Sequence, residues 1–216
     1  LWKNFTAILC IHASSPLRPC STLAVTAAVF FSGAPGQAQI IFSDNFDANT
    51  PALNTVPIGW TNVNAGTVDI IGVCSGSGPL FDVFPGNGCY IDLDGSTMAA
   101  GKLKKSFTLT GGFAYELSFD LGTTQNNSVF VTFGNSTSLI SLFGVEPLTK
   151  RSLNFSPVVS GIYDVIFQDQ GGDNSGGILD NVKITESVPG PLPILGVAAA
   201  FRVSRRLRAR LRRVQS

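Results

Sequence analysis

Asp92 and Asp94, in the stretch YIDLDGS, are separated by one residue and are the first positions whose types and spacing allow chemistry. On an extended strand they fall on one face, about 7 Å apart. Such a pair can serve as acid and base in glycoside hydrolysis, hold a calcium ion, or form a polar turn beside Gly95. A second set of oxygen donors opens and closes the strand-rich body: Asp44, Asn45 and Asp47 in FSDNFDA, and Asp180 and Asn181 in ILDNVKI. Calcium takes six to eight hard oxygen ligands. If the first and last strands run side by side, Asp44, Asp47 and Asp180 are expected to supply some of them to a structural calcium, against the competing reading that they cap turns. Stacking on a sugar face is the third chemistry. Trp60, between Gly59 and Asn62 near a turn, is the expected ligand-contacting aromatic, with Tyr90, Tyr115 and Tyr163 as further candidates.

Other chemistries are missing. The sole histidine is His12, near the N-terminus, so the body lacks the imidazole of Ser-His-Asp and Cys-His nucleophile systems and of common zinc sites. GGDNSGG has glycines but no helix pattern after it, unlike a phosphate-cradling loop. Between Gln39 and Glu186 six Lys/Arg stand against fourteen Asp/Glu, a net charge of −8, which argues against nucleic acid as a partner. Of the four cysteines, Cys74 and Cys89 lie in the body, each beside a Gly-rich turn, and are expected to form a disulfide around SGSGPLFDVFPGNG.

The elements that must position these residues are strands. Charged residues are only 13% of the chain, while phenylalanine reaches 16 and glycine 23, which suits strands and turns better than charged helices. Nine runs carry period-two alternation or β-branched and aromatic enrichment: IIFSDNF, GTVDIIGV, CYIDLDG, KLKKSFTL, AYELSFDLG, SVFVTFG, RSLNFSPV, GIYDVIFQD and GILDNVKIT. In AYELSFDLG, Tyr115, Leu117, Phe119 and Leu121 share one face, with Glu116, Ser118 and Asp120 on the other. Short strands separated by Gly, Pro and Asn clusters predict an all-β fold, an antiparallel β-sandwich of the jelly-roll kind, over residues 39–186.

The flanking segments read as addresses. Ser21 to Phe31 is an apolar run of signal-peptide length, too short to span a bilayer, and small residues at Gly36 and Ala38 place cleavage after Ala38. Residues 1–38 are thus expected to be a signal peptide. Residues 187–216 hold Val188, Pro189, Gly190, Pro191, Leu192 and Pro193, then an apolar stretch, then Arg202, Arg205, Arg206, Arg208, Arg210, Arg212 and Arg213. This order of parts resembles the PEP-CTERM class of C-terminal sorting signals, although VPGP replaces a literal Pro-Glu-Pro and Arg202 shortens the apolar part. The resemblance implies recognition by an exosortase-type processing enzyme, a transient membrane anchor with the arginines on the cytoplasmic side, and a final place at the cell surface or outside the cell. The phrases DNFD, YIDLDGS, YELSFDLG and LDNVKI also resemble galactose-binding-like jelly rolls, which implies sugar and calcium binding only by analogy.

The expectation is therefore an exported, non-enzymatic structural or adhesive surface protein. The alternative is a carbohydrate-binding module for extracellular polysaccharide, and a secreted glycan hydrolase or lyase stands behind both.

Overall fold

The computed structural model describes residues 38–187, and the expected signal peptide and sorting segment lie outside them. Eleven strands follow one another: β1 (Gln39–Asp44), β2 (Thr61–Asn62), β3 (Asp69–Gly72), β4 (Cys89–Asp92), β5 (Lys102–Leu109), β6 (Ala114–Thr123), β7 (Asn127–Phe133), β8 (Ser136–Leu142), β9 (Glu146–Phe155), β10 (Gly161–Asp169) and β11 (Ile178–Ser187). They form two antiparallel sheets, a sandwich as the alternation predicts. One sheet has the order β3-β4-β11-β6-β9 with β1 added to β11, and the other runs β2-β5-β10-β7-β8.

Two strands escaped the sequence pattern. β2 is only two residues long, and β8, STSLISL, is diluted by serine and threonine. The nine expected runs all contain strands.

Period-two alternation sorts side chains between core and surface. On β6, Tyr115, Leu117, Phe119 and Leu121 are buried between the sheets and meet Val165 and Phe167 of β10 and Val129, Val131 and Phe133 of β7 in one core. Phe119 and Phe167 cross the interface edge to face, with ring centres 5.0 Å apart. On β10, Tyr163, Val165 and Phe167 turn inward while Ile162 remains exposed, so that strand is wet on its outer face near its start.

The first and last strands do run side by side. β11 pairs with β6 along one edge, and β4 and β1 meet its other edge on either side of a bulge at Asp180 and Asn181. Asn181 takes the left-handed conformation there, φ 50°, which asparagine tolerates better than most side chains. A disulfide joins Cys74 to Cys89, 15 residues apart, and ties the connection between β3 and β4 into a closed loop. By loop-closure entropy such a bridge contributes about 3 kcal/mol.

Candidate functional site

β3 and β4 are four residues each and pair in the register Asp69↔Asp92, Ile70↔Ile91 and Ile71↔Tyr90. Ile70 and Ile91 point into the core between the sheets. Asp69, Ile71, Tyr90 and Asp92 therefore project from the outer face, yet all four are buried. The disulfide loop roofs them. Phe84 packs edge-on to Tyr90 at 6.0 Å. The Tyr90 hydroxyl accepts a hydrogen bond from Phe84 N at 2.9 Å and donates to Asp82 Oδ1 at 3.0 Å. Desolvation by that roof pushes the Tyr90 phenol up to about 12.

Between the roof and the sheet a cavity of about 320 Å³ remains. Its floor is Asp69, Ile71, Asp92 and Ile178; Phe81 and Val83 form one wall, and Ser96, Thr124, Asn174 and Ser175 the other. Phe81 is 63% exposed and holds φ 44°, and Asn174 opposite holds φ 67°. A phenylalanine in the left-handed region costs about 1–3 kcal/mol and persists only where its surroundings impose it, a kind of strain that concentrates at ligand sites.

The far wall is built by carboxylates. The connection from β10 to β11, QGGDNSGG, has no regular structure of its own, so its N–H groups need acceptors. Asp94 Oδ2 accepts from Asp173 N (2.8 Å) and Asn174 N (3.2 Å), and Asp92 Oδ1 accepts from Asp94 N (3.0 Å) and Gly176 N (2.8 Å). Asp169 accepts from Gly171 N and Gly177 N, both at 2.6 Å. Gly176 admits no side chain, because a Cβ would lie 2.4 Å from Asp94 N. Asp92 and Asp94 thus act as neither an isolated pair nor a simple turn: both organise this loop, and the partner that faces Asp92 is Asp69.

None of these acids has a Lys or Arg partner among the described residues, where the two ion pairs are Lys104–Asp164 and Arg151–Glu146. Burial pushes Asp92 up to about 7, helped by the charges of Asp69 and Asp94 and opposed by the two N–H donors. Asp169 is also raised, chiefly by burial. Asp180 is pushed up to about 7 by burial and then by Asp120, Asp47 and Asp44.

The sign for stability follows. Between the ordinary carboxylate value of 3.8 and about 7, the native chain holds protons on Asp92 and Asp180 that the unfolded chain releases. Stability is therefore highest below that window and falls as pH rises through it. Asp164 is lowered, first by Ser106 and then by Lys104, and acts in the opposite direction. Its pair is partly exposed and weak. Urea midpoints are expected to be higher at about pH 5 than at about pH 8; equal midpoints would show that these carboxyls are not desolvated.

Two expectations need correction. Trp60 is 6% exposed and lies in the core, its Nε1 donating to Asp44 Oδ2 at 2.9 Å, so it offers no ring face to a sugar. Tyr90 and Tyr115 are likewise buried, and Tyr163 packs on Phe155 at 4.9 Å. The calcium triad fares no better. Asp44, Asp47 and Asp180 are drawn toward one another by the β1–β11 pairing, and each of their carboxylate oxygens accepts a hydrogen bond. Phe46 N and Trp60 Nε1 serve Asp44, Cys89 N and Asn45 Nδ2 serve Asp47, and Asn181 serves both oxygens of Asp180. Among the described residues no three acidic, histidine or cysteine side chains are arranged to hold a metal ion.

No protein-family model and no curated protein matches the chain. Among solved structures it is similar to the CBM22-1 xylan-binding domain from Paenibacillus barcinonensis, at 15% identity and TM-score 0.47 over 71% of this chain and 98% of that one. It is also similar to the CBM22-1–GH10 modules of a Clostridium thermocellum xylanase complexed with xylohexaose, at 14% identity and TM-score 0.46, over 68% of this chain and 28% of that one. A third is the K3 cleaved adhesin domain of Lys-gingipain from Porphyromonas gingivalis, at 12% identity and TM-score 0.41, over 69% and 99% of the two chains. At such identities and scores, ligand and activity must be read from this chain's own residues.

Proposed function

We propose that the domain is a non-catalytic module that binds extracellular polysaccharide in the cavity under the disulfide loop. It belongs to an exported surface protein whose C-terminal segment directs exosortase-type processing. The observation that carries the binding reading is the cavity's make-up: an exposed, strained Phe81 beside the cross-strand acids Asp69 and Asp92. A sugar ring has an apolar face for an aromatic ring and hydroxyls for carboxylate, amide and hydroxyl partners. Asn174, Ser96 and Thr124 complete that polar set.

Binding is favoured over hydrolysis by the state of Asp69. Its Oδ1 accepts from Asn54 N (2.6 Å) and Ser96 N (3.3 Å), and its Oδ2 from Ser96 Oγ (2.6 Å). A carboxylate so engaged anchors loops and is poorly placed to act as nucleophile or base.

The test is a panel of soluble polysaccharides against the full chain, with Phe81→Gly as the variant. Glycine relieves the left-handed strain, so stability is expected to hold or rise by about 0.5–1 kcal/mol. Loss of the aromatic face is expected to weaken binding about tenfold. Unchanged affinity would remove Phe81 from the site, and no binding of any polysaccharide by the parent would reject the reading. For the tail, fractionation of cells expressing the chain with and without residues 187–216 is decisive. Unchanged location and size would reject sorting.

A further inference from the structure

The polysaccharide site has a charge that selects among polysaccharides. Asp92 is 9% exposed; its Oδ1 is occupied by two N–H donors, while its Oδ2 accepts no hydrogen bond within the described residues and is left to the cavity. Asp69 stands directly across from it. Behind them Asp94 is 0% exposed, and its Oδ1 is buried with no partner. No lysine or arginine lines the cavity. Three basic side chains of the sheets are engaged elsewhere: Lys104 on Asp164, Arg151 on Glu146, and Lys105 over the rings of Phe42 and Trp60. Lys150 and Lys183 line a separate depression on the sheet.

Buried carboxylates without a counter-charge favour whichever ligand supplies one. A uronic-acid polymer brings the wrong sign, and a neutral polymer brings none. We propose that the glycan bound in this cavity carries a protonated amine, as amino-sugar polymers do, and that Asp92 Oδ2 receives that ammonium opposite Asp69. The sugar ring lies against Phe81 while the amine points to the floor, where burial strengthens charge attraction. The net charge of −8 on residues 39–186 adds a long-range bias in the same direction. This inference rests on the polysaccharide reading and narrows it to one class.

The experiment measures the full chain against soluble oligomers of glucosamine, their N-acetylated counterparts and a polyuronic acid. It is run at several pH values on either side of about 7, because Asp92 and the glucosamine amine both exchange protons there, and with chelator present, so that a bridging divalent cation cannot stand in for the amine. A charge-assisted contact in place of a neutral one predicts about a tenfold preference for the free amine. In Asp92→Asn, whose amide oxygen keeps the two N–H donors, that ratio is expected to fall to near one. The ratio is insensitive to the fraction of protein that folds. Equal binding of amine and acetylated forms, or tighter binding of the uronate, overturns the amine proposal and leaves polysaccharide binding standing. Binding of none of the three overturns the amine proposal and leaves the polysaccharide reading to the wider panel, and a ratio unchanged in Asp92→Asn removes Asp92 as the amine's partner.

Discussion

Replacing Asp169 with alanine is expected to lower the unfolding free energy by about 1–3 kcal/mol, chiefly from the buried Gly177 N–H left without an acceptor, since the Gly171 amide is exposed and water can serve it. Asp169 is 1% exposed, and its two oxygens take the amides of Gly171 and Gly177, one at each end of the β10–β11 loop. No other element supplies those acceptors. The carboxylate is itself costly to bury, as its upward shift shows, and alanine relieves that cost. The loss therefore belongs toward the lower end where Asp169 is ionised. Asp169→Asn keeps one acceptor and turns an N–H toward a second donor, so it is expected to recover only part of the loss. Urea unfolding measures the total, and hydrogen exchange at Gly171 and Gly177 locates it. A change within about 0.5 kcal/mol would mean that water replaces the carboxylate and that the loop does not depend on it. Because this loop carries Asn174 and Ser175 of the cavity wall, glycan affinity is expected to fall with stability.

The sandwich was legible because alternation is local. Tyr115, Leu117, Phe119 and Leu121 share a face by spacing alone, and all four are buried. β8 was not legible because Ser136, Thr137, Ser138 and Ser141 hide the inward positions of Ile140 and Leu142. The disulfide followed from two cysteines at the ends of one turn-rich loop. The site was only half visible. Asp92 and Asp94 stood out as neighbours in sequence, but the residue that faces Asp92 is Asp69, and cross-strand register is a long-range property. A signal was present all the same: DII and YID each place one acid on an otherwise apolar four-residue strand, where a polar group needs a reason. Phe81 gave no signal, since nothing in GPLFDVFPG marks which phenylalanine adopts a left-handed backbone. Trp60 was misplaced for a related cause. Its sequence neighbours are turn residues, whereas its spatial neighbours come from β1 and β10.

Those spatial neighbours make Trp60→Ala the second large effect, expected at about 3–5 kcal/mol of destabilisation. The indole centre lies 6.2 Å from Phe42, 6.0 Å from Phe46 and 6.1 Å from Phe167, so one ring joins β1 of the first sheet to β10 of the second. Alanine opens a cavity among aromatic rings that cannot all collapse into it, and it leaves Asp44 Oδ2 without its indole donor. Trp60→Phe separates the two contributions. It restores most of the volume but not the N–H, and is expected to lose about 1–3 kcal/mol for the unpaired carboxylate oxygen. Neither variant touches the cavity under the disulfide loop, whose lining does not include Trp60. Affinity per folded molecule, measured below the melting transition, is therefore expected to match the parent. Should Trp60→Phe instead keep full stability while binding is lost, the indole would have to face ligand and not core, and the packing between the two sheets at β1 would need to be redrawn.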